Sequence, residues 1–402
     1  MFRLRLRLLL LWTIPLLAAS NSAWAMGLAA VDSIEERFRL SEKVGWYRLD
    51  DGAERWLTWN TNGGLRLIDI DSGEMINLRP VTPAIFAADG GAGELSDVQF
   101  DQSETGEVVG FRWLDTNGVE RSAERLTDPP YGQRELSFQN GALELTGLLL
   151  LPTTPSRHGA VIIIGGSSEC AREDPWVLYQ ADYLARRGIA VFLPDSRGTG
   201  KSEGDWKSAS FDQLATDVTL AAQIIGQQAD VDASRIGLVG MREGAWVAPI
   251  AAATSEQIRF LVTVSGYTLS PRDQMRYGIS SDVRRYGTPD FLVPLIAFAL
   301  EFTSTRRGES WWDRNGRFDP IPYWSQLEKP VLAVYGDPEE AEDFPIRRTF
   351  QRLQEVRSAS GNPDFTIRLI EDADEKLRDE DSGRIHPEYL ELLASWITSR
   401  TA

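Results

Sequence analysis

Two regimes of hydrophobic patterning divide the chain. From about Leu28 to Leu126, short apolar and aromatic runs such as "GWYRLDDG", "RWLTWN" and "LRLIDIDSG" are punctuated by Asp51-Gly52, Asn62-Gly63, Ser72-Gly73 and Asn117-Gly118. Such pairs supply the positive backbone angles of tight hairpin turns, so the pattern predicts a small meander or barrel of roughly six to eight strands. "TDPPYGQR" (residues 127–134) reads as a linker. After it the period changes. "ELSF" and "LELTGLLLLP" predict a hairpin. "AVIIIGG", "IAVFLPD", "IGLVG" and "FLVTVSG" are then fully apolar runs, with helical stretches over 176–187, 211–228 and 243–253 between them. Buried strands alternating with helices predict a mostly parallel, doubly wound sheet covered on both faces. The alternation breaks over about 267–326, a partly helical, aromatic stretch containing "FLVPLIAFALEF", Trp311, Trp312, Tyr323 and Trp324. It resumes with "PVLAVYG", a helix over 345–356, "FTIRLI" and a last helix over 387–399. The interruption is expected to be a lid over the carboxyl ends of the strands, where open α/β sheets bind ligands.

Composition narrows the class. At 402 residues, 42% hydrophobic and 25% charged, the chain has the balance of a globular protein with a sizeable core. Its first residues carry Arg3, Arg5 and Arg7, an apolar run from Leu8 to Ala19, and Ala23-Trp24-Ala25. That is the plan of a secretory leader, so residues 1–25 are expected to be a signal peptide cut after Ala25. A periplasmic or secreted protein follows, with no stable membrane insertion after cleavage. The domain plan is then 27–133 for the β-rich part and 134–402 for the α/β part. The full chain has 42 basic and 59 acidic residues, a net charge of −17; without the leader's three arginines it has 39 against 59, or −20. Such a surface disfavours nucleic acid and anionic membranes. One cysteine, Cys170, excludes an internal disulfide, and two histidines, His158 and His386, are too few for a His-rich metal site. No metal or cofactor is expected.

Five motifs bear on chemistry: "LTGLLLLP", "IIIGGSSECARED", "LPDSRGTGKSEGDW", "RIGLVGMREGAWVAPIAAA" and "PVLAVYGD". Their order and spacing over 135–402 resemble the α/β-hydrolases, in the exported serine-hydrolase branch near dienelactone hydrolases and serine aminopeptidases. The resemblance implies a nucleophile on a sharp strand-to-helix turn, an acid after a later strand and a histidine after the last. The elbow here is Gly240, Met241, Arg242, Glu243 and Gly244, so arginine stands at the nucleophile position. A guanidinium is neither nucleophile nor base. Glu375, in "EDADEKL", stands where the histidine is implied. Glu339, with Glu340 beside it, matches the acid. Gly166, Ser167 and Ser168 fall in the loop that the resemblance assigns to oxyanion-hole amides. Ser-His-Asp thus becomes Arg-Glu-Glu, and Arg242 is expected to pair with Glu375 and with Glu339.

Alternative readings of single features are weaker. "GTGKS" would need glycine rather than Asp195 to be a phosphate loop, so Asp195 and Arg197 are expected to be hydrogen-bonded structural residues. Glu339 and Glu375 as a glycosidase pair would be held at low pKa by Arg242, the wrong direction for a general acid. Cys170 lacks an evident activating group, His158 lies at the amino end of its strand, and His386 lies past the implied turn. Two functions remain: a catalytically inactive homologue holding a small carboxylate or acyl ligand or a partner, and a working esterase or peptidase using non-standard residues. An interaction module built on the β-rich part is a third.

Overall fold

The computed structural model describes residues 40–60, 64–89, 97–114, 117–165, 174–307, 309–336, 345–379 and 382–401. The expected leader and its cleavage site lie outside them. The chain separates into two compact units, divided between Thr127 and Asp128.

The first unit is a closed antiparallel barrel of eight strands: β1 (Gly45–Leu49), β2 (Glu54–Asn60), β3 (Gly64–Asp69), β4 (Met75–Pro80), β5 (Ile85–Asp89), β6 (Val98–Gln102), β7 (Val108–Leu114) and β8 (Glu120–Arg125). Each strand pairs with the next, and β1 pairs with β8, Tyr47 opposite Arg125, so no edge is left open. The alternation that the sequence shows is the reason it closes. Leu57, Leu65, Leu67, Leu78, Phe86, Val98, Phe100 and Phe111 all bury in one cluster. Phe111 sits 5.0 Å from Tyr47 and 5.8 Å from Phe100, in tilted and edge geometries that suit aromatic quadrupoles.

The second unit holds one eight-stranded sheet. β9 (Tyr131–Asn140) and β10 (Leu143–Pro152) form the expected hairpin. β11 (His158–Ile164), β12 (Ala190–Pro194), β13 (Val231–Met241), β14 (Ile258–Val264), β15 (Val331–Tyr335) and β16 (Phe365–Leu369) follow. The order across the sheet is β16-β15-β14-β13-β11-β12-β10-β9. All neighbours from β16 to β12 run parallel; β10 joins β12 antiparallel. The continuous apolar runs become strands buried on both sides: Ala160, Val161, Ile162 and Ile163 have no exposed surface at all.

Nine helices are described: α1 (Pro175–Ala185), α2 (Phe211–Gly226), α3 (Gly244–Thr254), α4 (Pro271–Arg285), α5 (Val293–Arg307), α6 (Glu309–Asn315), α7 (Ile321–Trp324), α8 (Ile346–Ser360) and α9 (Pro387–Thr401). α2 begins with a reciprocal capping box between Ser210 and Gln213, as a chain entering a helix against a sheet requires. The insertion between β14 and β15 consists of α4 to α7. Its aromatic residues divide: Trp324 is fully buried in the main core against Phe365, whereas Trp311 packs edge-on to Phe211 at 6.1 Å.

Candidate functional site

The elbow forms because β13 and α3 approach too closely for side chains at two positions. A Cβ on Gly244 would lie 2.3 Å from the Ile164 carbonyl oxygen and 2.9 Å from that of Gly165. A Cβ on Gly240 would lie 2.8 Å from the Ala248 Cβ. Between them Arg242 turns the chain with φ at +50°, a conformation that costs a non-glycine residue about 1–2 kcal/mol. Its main chain is tied down on both sides. The N–H donates to the Val264 carbonyl at 2.9 Å, and the carbonyl accepts from Ala245 at 3.1 Å and Tyr267 at 3.3 Å. The elbow is therefore stitched to the carboxyl end of β14.

The Arg242 side chain is half-buried and donates from Nη2 to the Tyr267 hydroxyl at 3.3 Å. Burial works against its charge, but Tyr267, Glu375 and Glu243 outweigh it and raise its pKa further, so it is a permanent cation. Burial raises the pKa of the Tyr267 hydroxyl and Arg242 opposes the rise. Tyr267 in turn packs on Trp246 at 5.0 Å, Trp246 donates from Nε1 to the Leu269 carbonyl, and Phe211 closes the row at 5.4 Å from Trp246. Arg242 thus rests on an aromatic wall whose members come from α2, α3 and the start of the insertion.

The expected ion pair with Glu375 takes a different form. Glu375 is half-buried and acts on Arg242 through its charge; no hydrogen bond or ion pair joins the two. The turn that carries Glu375 is organised by its neighbour. Asp374 accepts the N–H groups of Lys376 and Arg378 at 2.7 and 2.9 Å and takes the Arg378 guanidinium at 2.6 and 2.8 Å. This turn presses on the exit of β15, where a Cβ on Gly336 would lie 2.2 Å from the Asp374 carbonyl oxygen. Glu339 and Glu340 follow that exit but lie outside the described residues. So do Gly166, Ser167, Ser168 and Cys170.

His386 is nearer to the Glu375 turn than its place in the chain implies. Its N–H donates to the Leu377 carbonyl at 2.8 Å, and its Nδ1 is buried with no partner among the described residues. His158 is a structural residue at the amino end of β11: its ring nitrogens lie 2.9 Å from the Thr154 carbonyl and 3.1 Å from that of Gly188. In the "DSRGTGKSEG" loop, Asp195 accepts from Thr146 Oγ1 at 2.7 Å and from the Lys201 N–H at 3.0 Å. Arg197 holds Asp217 with two bonds of 2.6 and 2.9 Å. A Cβ on Gly200 would fall 2.4 Å from the Asp195 carboxylate. The loop is a filled structural knot, with no space for a phosphate against Gly200.

Two residues at the site were not singled out from the sequence. Tyr267 gives Arg242 its hydroxyl partner. Ser265 ends β14 with φ at +48°, its N–H on the Val334 carbonyl and its buried hydroxyl without a partner among the described residues. The signal for either was only its place, just past an apolar strand in "VTVSGYTLS".

Chemically, the described part of the site offers one fixed cation, one phenol and one carboxylate acting at a distance. It offers no imidazole against a hydroxyl at the elbow. A family model described as esterase FrsA-like matches residues 112–268, from β7 through the elbow to the start of the insertion. An esterase of Pyrococcus furiosus is similar to 67% of this chain, over 91% of its own length, at 16% identity and a TM-score of 0.51. An α/β hydrolase from a Penicillium species matches 67% of this chain and 99% of its own, at 16% identity and a TM-score of 0.50. An acylaminoacyl peptidase of Pyrococcus horikoshii matches 87% of this chain and 55% of its own, at 15% identity and a TM-score of 0.50. No curated protein matches significantly.

Proposed function

We propose, from the α/β-hydrolase fold that the motifs and likenesses of the second unit support, that the chain is an exported, catalytically inactive member of that group. Its elbow holds a small anionic ligand, a carboxylate or the carboxyl end of an acyl group. The observation that carries this reading is Arg242: it occupies the strained elbow position, half-buried, with its guanidinium on the Tyr267 hydroxyl. A guanidinium there can hold a carboxylate with two parallel hydrogen bonds but cannot form an acyl-enzyme. Export rests on the leader pattern alone.

The family model's description favours a second reading, an active esterase or peptidase that draws its nucleophile from elsewhere, with Ser167, Ser168 and Cys170 the candidates. One experiment separates the two. The purified protein and an Arg242→Ala variant are given short- and medium-chain acyl nitrophenyl esters and aminoacyl anilides, and acetate to octanoate are titrated by calorimetry. The proposal expects no turnover above the blank by either protein, and carboxylate binding that weakens about tenfold or more in the variant, the loss of one charge-assisted contact of about 1.5–3 kcal/mol. Turnover retained in the variant would overturn it in favour of the second reading.

A further inference from the structure

Helix α5 is docked the wrong way round for an ordinary surface helix. Phe291, Leu295, Phe298 and Phe302 are 79%, 66%, 65% and 49% exposed. Leu295, Phe298 and Phe302, spaced three and four apart, share one face of the helix, and Phe291 stands in the turn that leads into it. Pro294 and Ala299 on the same turns are exposed too. The side turned inward is lined by Val293, Ala297 and Glu301, all buried, with Leu292, Ile296 and Leu300 half-buried beside them. Glu301 is held by Arg276 at 2.7 and 2.9 Å and approached by Arg272 at 3.7 Å. A helix normally buries its large apolar residues and exposes its charges. Here an ion pair fixes the helix in place and the phenylalanines are left in water. Contiguous exposed apolar surface of this kind marks an interaction site.

The charge around the face decides the partner. Residues 271–307 contain six arginines against four carboxylates, a net charge of +2 in a chain of −17. Arg284 and Arg285 are 57% and 47% exposed and lie 3.4 Å from Asp290 and 3.5 Å from Asp282. The Arg306 guanidinium lies 4.5 Å over the Phe302 ring. An aromatic and leucine face rimmed by arginines is the composition of a helix lying in a membrane interface, where long cationic side chains reach phosphate while the apolar face enters the acyl boundary. A second copy meeting this face to face would set arginine against arginine. The exposed stripe from Leu295 to Phe302 runs about 10 Å along the helix, too short to cross a bilayer. No described helix is long and apolar enough to cross one.

We infer that the α5 face formed by Leu295, Phe298 and Phe302, with Phe291 in the turn before it, docks onto a phospholipid surface. Docking would bring the insertion that supplies Tyr267 and Leu269 to the elbow up against the source of acyl ligands. It stands whether or not the elbow is catalytic.

The test is flotation of the full chain with vesicles of phosphatidylcholine, alone and mixed with phosphatidylglycerol. It is set beside Leu295→Glu/Phe298→Glu and a milder Phe291→Ser/Phe298→Ser. All three share the same N-terminus, so any difference reads the α5 face. The parent is expected to float, and both variants to partition at least about tenfold less, with unchanged melting because the substituted side chains are exposed. Arg284→Glu/Arg285→Glu is expected to lose the preference for the mixed vesicles. Equal flotation of parent and variants would overturn the inference, as would no flotation of the parent. So would a parent dimer, seen by sedimentation, that the α5 variants dissociate without any vesicle binding.

Discussion

Gly244→Ala is the sharpest probe of the elbow on which the functional argument stands. Two effects oppose each other. Alanine is favoured over glycine in a helix by up to about 1 kcal/mol, partly because the unfolded chain is less free. Against that, the new methyl would sit 2.3 Å from the Ile164 carbonyl oxygen and 2.9 Å from that of Gly165, both backbone atoms at the end of a central strand. Neither can swing aside as a side-chain tip can, so β11 or α3 must move by roughly 1 Å to restore ordinary contact. Overpacking of this kind costs about 1–3 kcal/mol, more where the neighbour is main chain. The clash therefore wins, with a net loss of about 2 kcal/mol, or about 4–8 °C in the melting of a unit this size. Gly226→Ala is the matched control. It also lies in a helix, but its methyl would meet only the Ala233 Cβ at 3.3 Å and the Ile236 Cδ1 at 3.4 Å. It is expected within about 0.5 kcal/mol of the parent. Calorimetry, following the transition of the second unit, reads both. A Gly244→Ala protein as stable as Gly226→Ala would refute the close approach of β11 and α3, and with it the placement of Arg242.

Two further outcomes follow from buried polar groups. Asp182 is 1% exposed and accepts from the Tyr131 hydroxyl at 2.9 Å and Arg186 Nε at 2.8 Å. Asp182→Ala is expected to cost about 3–5 kcal/mol in urea denaturation, because it strands both donors, and Asp182→Asn clearly less. In the barrel, burial pushes the Tyr47 hydroxyl up to about 12, with Arg125 opposing. The folded state then holds its proton more tightly than the unfolded state, so this stability is complete below about pH 10 and is lost as pH rises toward 12, by up to about 2–3 kcal/mol. Tyr47→Phe should flatten that part of the barrel's pH profile; identical slopes in parent and variant would show that Tyr47 is not its source.

Much of this architecture is readable in the sequence because its signals are local. Gly-containing turn pairs and period-two runs announce the barrel, and runs such as Ala160–Ile163 announce strands buried on both faces. The elbow glycines were equally plain. Tyr267 was not, because nothing in "SGYTLS" says that its hydroxyl returns to residue 242; that depends on β14 lying beside β13. For Arg242 and Glu375 the sequence offers only their implied positions in the fold, which predict a direct contact. The turn's own hydrogen bonds run through Asp374 instead, leaving Glu375 to act at a distance. The orientation of α5 was unreadable for a different reason. "VPLIAFALEF" is apolar on every side until Glu301, so its periodicity selects no face, and the one carboxylate turns out to face inward.

The strain at Arg242 also bears on the inactivity proposed for the elbow. A left-handed non-glycine residue at a site is commonly read as a sign of chemistry. Here the fold requires the turn whatever side chain it carries. The Arg242 N–H is committed to β14 and its carbonyl to Ala245 and Tyr267, while Gly240 and Gly244 hold strand and helix too close for any gentler path. The backbone geometry of a nucleophile elbow is thus a property of the sheet and of α3. An arginine at this position keeps every one of those main-chain bonds and sets a fixed charge against Tyr267. Retention of the elbow is therefore no evidence of hydrolysis, and the side chain at position 242 is what any assay of function has to interrogate.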